Sequence, residues 1–157
     1  MKRLLLAIAI CLAVVVMVVS CAKTPTPDDI SDVVITLERG PCFGACPVYK
    51  LTVYGDGRVI YEGIRFVGVE GTQTASISED KVRQLITEFQ KIDYFSLDNE
   101  YTHINATDMP SATTSITVAG QTKTVVHYHG DFSTPEELTT LENRIDEIVS
   151  TDRWVKR

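Results

Sequence analysis

Positive charge is scarce in this sequence: 15 lysine and arginine side chains stand against 21 aspartates and glutamates, a formal charge of −6 over 157 residues. That balance repels nucleic acid and anionic lipid, so no nucleic-acid partner is expected. Signatures of common hydrolases and nucleotide binders are missing too: there is no G-x-S-x-G, no H-E-x-x-H and no phosphate loop. Carboxylate pairs are too common in an acidic chain to nominate a glycosidase site. Histidine occurs three times and cysteine four, which confines any thiol or imidazole chemistry to a few positions. No catalytic residue is assigned on these grounds. After residue 21 no run is long and apolar enough to span a bilayer.

The N-terminus is different. Lys2 and Arg3 precede an unbroken apolar run, Leu4 to Val19, which is 16 residues long and short for a transmembrane helix. It closes on Val18-Val19-Ser20-Cys21. This tetrapeptide resembles the lipobox of bacterial lipoproteins, which implies removal of residues 1–20 as a signal peptide and acylation of Cys21. Cleavage leaves 137 residues, with 13 basic against 21 acidic side chains and a formal charge of −8. Two or three acyl chains, at about 0.8 kcal/mol per buried CH₂, anchor stably where one would not.

Residue 22 is Ala rather than the Asp that commonly retains lipoproteins in the inner membrane. The expected address is therefore the outer membrane, periplasmic side, in a Gram-negative envelope, or the outside of the single membrane in a Gram-positive one. Ala22 to Ser31 reads AKTPTPDDIS, with little to bury and two X-Pro steps. Residues 21–32 thus form a lipidated tether, able to reach roughly 30 Å, and residues 33–157 a single globular domain.

Within that domain Val33 to Leu37 and Val48 to Tyr54 read as strands, the second alternating Tyr49, Leu51 and Val53 with Lys50 and Thr52. Gly55-Asp56-Gly57 predicts a hairpin turn with positive φ at both Asp56 and Gly57, returning through Arg58 to Glu62. Ser78 is a natural N-cap for a helix with the stripe Val82, Leu85, Ile86, Phe89 and Ile92. Tyr94 to Ser111 reads as a long loop, and Thr113 to Val118 with Thr122 to His129 as a second hairpin around Ala119-Gly120. Thr134-Pro135-Glu136-Glu137 has the form of a capping box, opening a helix with the stripe Leu138, Leu141, Ile145 and Ile148. Trp154 and Val155 should fold back on the core. Strands, helix, strands, helix predicts an α+β domain: a mainly antiparallel sheet with two helices packed on one face.

Cys11 leaves with the signal and Cys21 takes lipid, so Cys42 and Cys46 remain as an even pair in an oxidising compartment, inside the tight loop Gly40-Pro41-Cys42-Phe43-Gly44-Ala45-Cys46-Pro47. A structural disulfide is the first expectation. The alternative combines both thiolates with His127 and His129, two imidazoles at i and i+2 on one strand, into an N₂S₂ site for copper or zinc. Thiol–disulfide exchange fits less well, because redox pairs usually have C-x-x-C spacing at a helix N-terminus. The C-x-x-x-C-P run also resembles the copper-binding loop of the thioredoxin-like chaperones of cytochrome oxidase assembly. There it opens a helix; here the strand Val48 to Tyr54 follows. His103, Asp108 and Asp131 read as loop polars, Asp108 as a turn residue.

The ordered set Cys42-Phe43-Gly44-Ala45-Cys46-Pro47, Tyr54-Gly55-Asp56-Gly57, Thr107-Asp108-Met109-Pro110 and His127-Tyr128-His129-Gly130-Asp131 resembles a family of uncharacterised bacterial envelope lipoproteins built around one domain. The resemblance spans about residues 33 to 155 and implies no activity. The expected function is that of a non-enzymatic envelope module on a lipid tether, without cofactor, binding a protein, glycan or small ligand.

Overall fold

The computed structural model describes residues 29–156. The apolar run, Cys21 and most of the tether lie outside the described residues. Among the described residues seven strands form one sheet: β1 (Val34–Arg39), β2 (Val48–Tyr54), β3 (Arg58–Arg65), β4 (Gly71–Ser76), β5 (Glu100–Tyr101), β6 (Ser111–Val118) and β7 (Gln121–Tyr128). Their spatial order is β4-β3-β2-β1-β6-β7-β5. Every pairing is antiparallel except β5 on β7. Helices α1 (Glu79–Lys91) and α2 (Glu136–Val149) pack together on one face, and the short α3 (Asp152–Val155) ends the chain. The domain is α+β, as the element pattern predicts.

Period-two alternation decides which face is buried. Ile35 and Leu37 of β1, Leu51 and Val53 of β2, Val59 and Tyr61 of β3, and Ile116 of β6 point inward with at most 1% of their surface exposed. Against them lie Val82, Leu85, Ile86 and Phe89 of α1 and Leu138, Leu141, Ile145 and Ile148 of α2. The Ser78 cap is present: its side chain accepts from the Lys81 N–H at 3.4 Å.

Register lines up one inner row across the sheet. Gly63 opposes Tyr49, Tyr49 opposes Arg39, Arg39 opposes Ala112, Ala112 opposes His127, and His127 opposes Tyr101. A single row across six strands therefore carries Tyr49, Arg39 and His127, with only a methyl group between the last two.

Three local expectations need correction. In the first hairpin only Gly57 has positive φ (82°); the Gly57 N–H closes a turn on the Tyr54 carbonyl at 2.9 Å, and Asp56 instead accepts from the Arg58 N–H. Such a loop pairs a turn with one left-handed residue, so only one of its two central positions needs glycine-like freedom. The second hairpin does place both central residues, Ala119 (51°) and Gly120 (72°), at positive φ. The long loop is not wholly irregular, because Glu100–Tyr101 adds a short parallel edge strand. The capping box does not form: α2 begins after Pro135, and among the described residues no side chain caps it and the buried Thr134 hydroxyl has no hydrogen-bond partner. Asp131 takes the nearby donors instead, accepting from the Ser133 N–H at 2.9 Å and the Ser133 hydroxyl at 2.6 Å.

The end of the chain folds back as expected. Trp154 stacks on Tyr61 with ring centroids 4.8 Å apart, and the Gly68 and Val69 N–H groups donate to the carbonyls of Val155 and Trp154.

Candidate functional site

A polar constellation is buried beneath α2, and its centre is Glu142, a residue outside the motifs described above. Glu142 is fully buried in the middle of the apolar stripe of α2. Its Oε1 lies 2.7 Å from His127 Nδ1, while its Oε2 lies 3.0 Å from His129 Nε2 and 2.8 Å from an Arg39 guanidinium nitrogen. One turn further along α2, Asp146 accepts from Arg39 at 2.9 Å, from the Tyr49 hydroxyl at 2.7 Å and from the Thr151 hydroxyl at 2.7 Å. The imidazoles of His127 and His129 stack with centroids 4.1 Å apart. That is closer than the roughly 7 Å between alternate residues of a strand, because both rings lean onto one carboxylate.

The inner row of the sheet explains the assembly. Arg39 and Tyr49 are cross-strand partners, and Ala112 leaves Arg39 and His127 without a bulky neighbour between them. Glu142 and Asp146 are four residues apart and so share one face of α2. A signal for Glu142 was present in the sequence: with Leu138 at i, Leu141 at i+3 and Ile145 at i+7, it occupies the i+4 position of a core-facing stripe. A carboxylate there must be paired or neutral.

Burial by itself would raise the pKa of Glu142. The hydrogen bonds from His127 and His129 and the charge of Arg39 outweigh it, and the carboxyl is held at about 2. Burial also opposes the charge of Arg39, but the carboxylates of Asp146 and Glu142 more than offset this and raise its pKa. Tyr49 is pushed upward by burial and by the Asp146 carboxylate, so its phenol stays protonated and donates.

Above this network opens a cleft of about 210 Å³ with largely apolar walls. Arg39, Tyr49 and His129 reach it from below, Cys46 and Pro47 form one wall, and Pro110, Ser111 and Val155 complete it. Cys42 and Cys46 are joined by a disulfide, with Cα atoms 5.8 Å apart. The two sulfurs are thus bonded to each other, and the donor grouped with His127 and His129 is Glu142, all three ligand atoms lying within 4.8 Å. Of the four residues of the alternative N₂S₂ site, the structure joins the cysteines to each other and brings the histidines together on Glu142, with Cys46 and His129 both lining the cleft.

Three loops surround the cleft and are tied to one another. The Phe43 N–H donates to the Asp108 carbonyl, the Tyr128 hydroxyl to the Ala106 carbonyl, and the Asn105 and Ala106 N–H groups to the Gly130 carbonyl. Asp108, read as a turn residue, has φ of 69°. His103 and Asp131, expected to be separate loop polars, meet: Asp131 Oδ2 accepts from the His103 N–H at 2.9 Å and faces His103 Nδ1 at 3.2 Å. Hydrogen bonds from Ser133, helped by those from His103, hold the Asp131 carboxyl far below the usual range. This is not a nucleophilic triad, since the Ser133 hydroxyl donates to the carboxylate and not to the imidazole. A second depression, of about 420 Å³, lies at the other end of the sheet beside Tyr54, Asp56, Arg58 and Arg83, where the described chain begins. The smaller cleft is the better candidate site, being apolar with a few convergent polar groups.

A seven-stranded, mainly antiparallel sheet covered on one face by two helices, with a buried His–Glu–Arg–Asp network under a disulfide-walled cleft, defines the class of domain. Residues 33–149 match the family described as Domain of unknown function (DUF6438), and the chain belongs to that family. No match is found among curated proteins.

Proposed function

We propose that this protein is a lipid-anchored module of the bacterial envelope that binds a partner at the cleft end of its sheet without transforming it. In this reading residues 1–20 are removed, Cys21 carries the lipid and residues 21–32 are the tether. The observation that carries the binding role is convergence. Gly40, Cys46 and Pro47 from one loop, Pro110 and Ser111 from a second and His129 from a third meet around one cleft, although up to 89 positions separate them in sequence.

That end also faces away from the tether. The chain enters beside the opposite turns, where the Asp32 carboxylate accepts from the Gly120 N–H and the Val33 carbonyl from the Gly55 N–H. Five steps along β1 then place the cleft about 17 Å farther from the anchor. A holding role is supported by the pairing inside the network, where Glu142 and Asp146 are engaged by Arg39 and the Tyr49 hydroxyl donates to Asp146.

The test is photo-crosslinking in cells from a benzoylphenylalanine at position 110. A discrete adduct that disappears in Ser111→Trp, whose indole fills the cleft, is the expected result. No adduct, or one that survives the substitution, refutes the cleft as the binding site. Mass spectrometry of the mature N-terminus, with Cys21→Ala as control, tests the anchor separately.

A second reading is favoured by the donor set His127, His129 and Glu142: copper or zinc held by two imidazoles and a carboxylate, in place of the sulfurs now joined as a disulfide. The Arg39 guanidinium, 2.8 Å from Glu142 Oε2, would have to move aside. Elemental analysis of protein purified from the envelope, compared with His127→Ala and His129→Ala, distinguishes the readings: stoichiometric metal lost in both variants supports the metal site.

A further inference from the structure

Among the described residues, large hydrophobic side chains are left in solvent at one place more than elsewhere. Phe43 is 87% exposed, Phe132 76% and Ile104 73%, with Met109 at 42%. All four sit on the three tied loops of the cleft end. The Phe43 N–H donates to the Asp108 carbonyl, next to Met109, and the Phe132 N–H donates to the Asn105 side chain, next to Ile104. The backbone of these loops is held in place by hydrogen bonds, so the apolar tips are not on loose strands of chain. Folding does not require them outside, since the core is complete without them. An exposed apolar group of this size, rimmed by polar residues, marks an interaction site.

The charges around it choose the partner. The loops 40–47, 102–110 and 129–135 contain no lysine or arginine. Asp108 is exposed on the second, and Glu136 and Glu137 are exposed where the third runs into α2. Arg39, at the edge of the first loop, is already neutralised by Glu142 and Asp146. His103 faces Asp131. Arg65, at the end of β3 opposite Val48, holds its guanidinium 5.2 Å from the centre of the Phe66 ring. Arg153, over the Trp154 ring, and Lys156, paired with Asp152, flank Val155 on the α3 side, so the acidic rim is that of the three loops that carry the apolar tip.

We infer that the cleft end of the sheet docks a cationic amphipathic protein segment, whose apolar side chains meet Phe43, Ile104, Met109 and Phe132 and whose lysines or arginines meet Asp108, Glu136 and Glu137. An anionic bilayer is disfavoured by the acidic rim, and a second copy of the chain by like charge. This inference rests on the binding-module reading above and names the chemistry of the partner.

The test uses the full chain purified from envelopes in phosphatidylcholine nanodiscs and two fluorescent 18-residue helical peptides, one of leucine and lysine and one of leucine and glutamate. The lysine peptide should bind and the glutamate peptide should not. Phe43→Ser with Phe132→Ser should weaken binding at least tenfold, and Asp108→Asn with Glu136→Gln should weaken it and flatten its salt dependence. Phe95→Ser, at an exposed site away from these loops, should change nothing, and unaltered melting of each variant confirms that it is folded. Equal binding of both peptides, or binding indifferent to Phe43 and Phe132, overturns the inference. So does Phe43-dependent flotation on phosphatidylglycerol vesicles, which would mean a lipid surface, or Phe43-dependent self-association in sedimentation, which would mean a second copy. Persistence of the position-110 adduct in a protein that fails the peptide test removes the cationic partner and leaves the cleft reading standing.

Discussion

Glu142 concentrates the energetics of the site in one side chain. Its carboxyl is held at about 2 in the folded protein against an ordinary value of 4.5. A depressed carboxyl contributes stability that is fully present above its unfolded pKa and is lost as pH falls through the folded one. The displacement corresponds to about 3 kcal/mol. Glu142→Gln should therefore unfold at lower denaturant near pH 7, and the gap between wild type and variant should close as pH falls from about 5 to 2. A gap that stays constant with pH would show that Glu142 contributes packing and not charge. Thr134 is the opposite case. Its hydroxyl is buried without a partner, so Thr134→Val, which keeps the shape and removes the unpaired group, should leave the melting temperature unchanged or raise it. A loss of about 1 kcal/mol would restore Thr134 as the cap of α2.

At the scale of elements, the disulfide loop and the C-terminal turn make contrasting demands. The Cys42–Cys46 bridge closes five residues, and a ring of that size removes only about 2 kcal/mol of unfolded-state entropy. Cys42→Ser with Cys46→Ser should leave a folded domain of slightly lower stability, with exchange of the Phe43 and Gly44 amides accelerated. Global unfolding of the double variant would mean that the loop is part of the core. α3 is short, yet Trp154 is 8% exposed and stacks on the fully buried Tyr61. Trp154→Ala should cost about 3 kcal/mol and free the Gly68 and Val69 amides, which bond to α3 carbonyls, to exchange. Unchanged protection there would show that the β3–β4 connection is held by other contacts.

For the molecule as a whole, local chemistry was legible wherever one residue type answers one requirement. The alternation of β2, the stripes of α1 and α2, the Ser78 cap and the return of Trp154 all follow from periodicity or burial, and each is in the structure. The cysteine pair was legible as a disulfide from its even number and its tight loop. The start of α2 departs from its motif because Thr134 and Asp131 compete for the same turn of backbone, and four residues do not encode which takes the donors. β5 was missed because two residues carry no period, and only the open edge of β7 makes them a strand. His127 and His129 could be placed on one strand, but not given a partner. Sequence by itself determined the longer strands, both long helices, their buried faces and the α+β class, since these depend on spacing along the chain. Only the tertiary structure decided that Arg39, Tyr49 and His127 share one row and that Glu142 descends into it, because register and helix docking join residues 103 positions apart through contacts that no local pattern encodes.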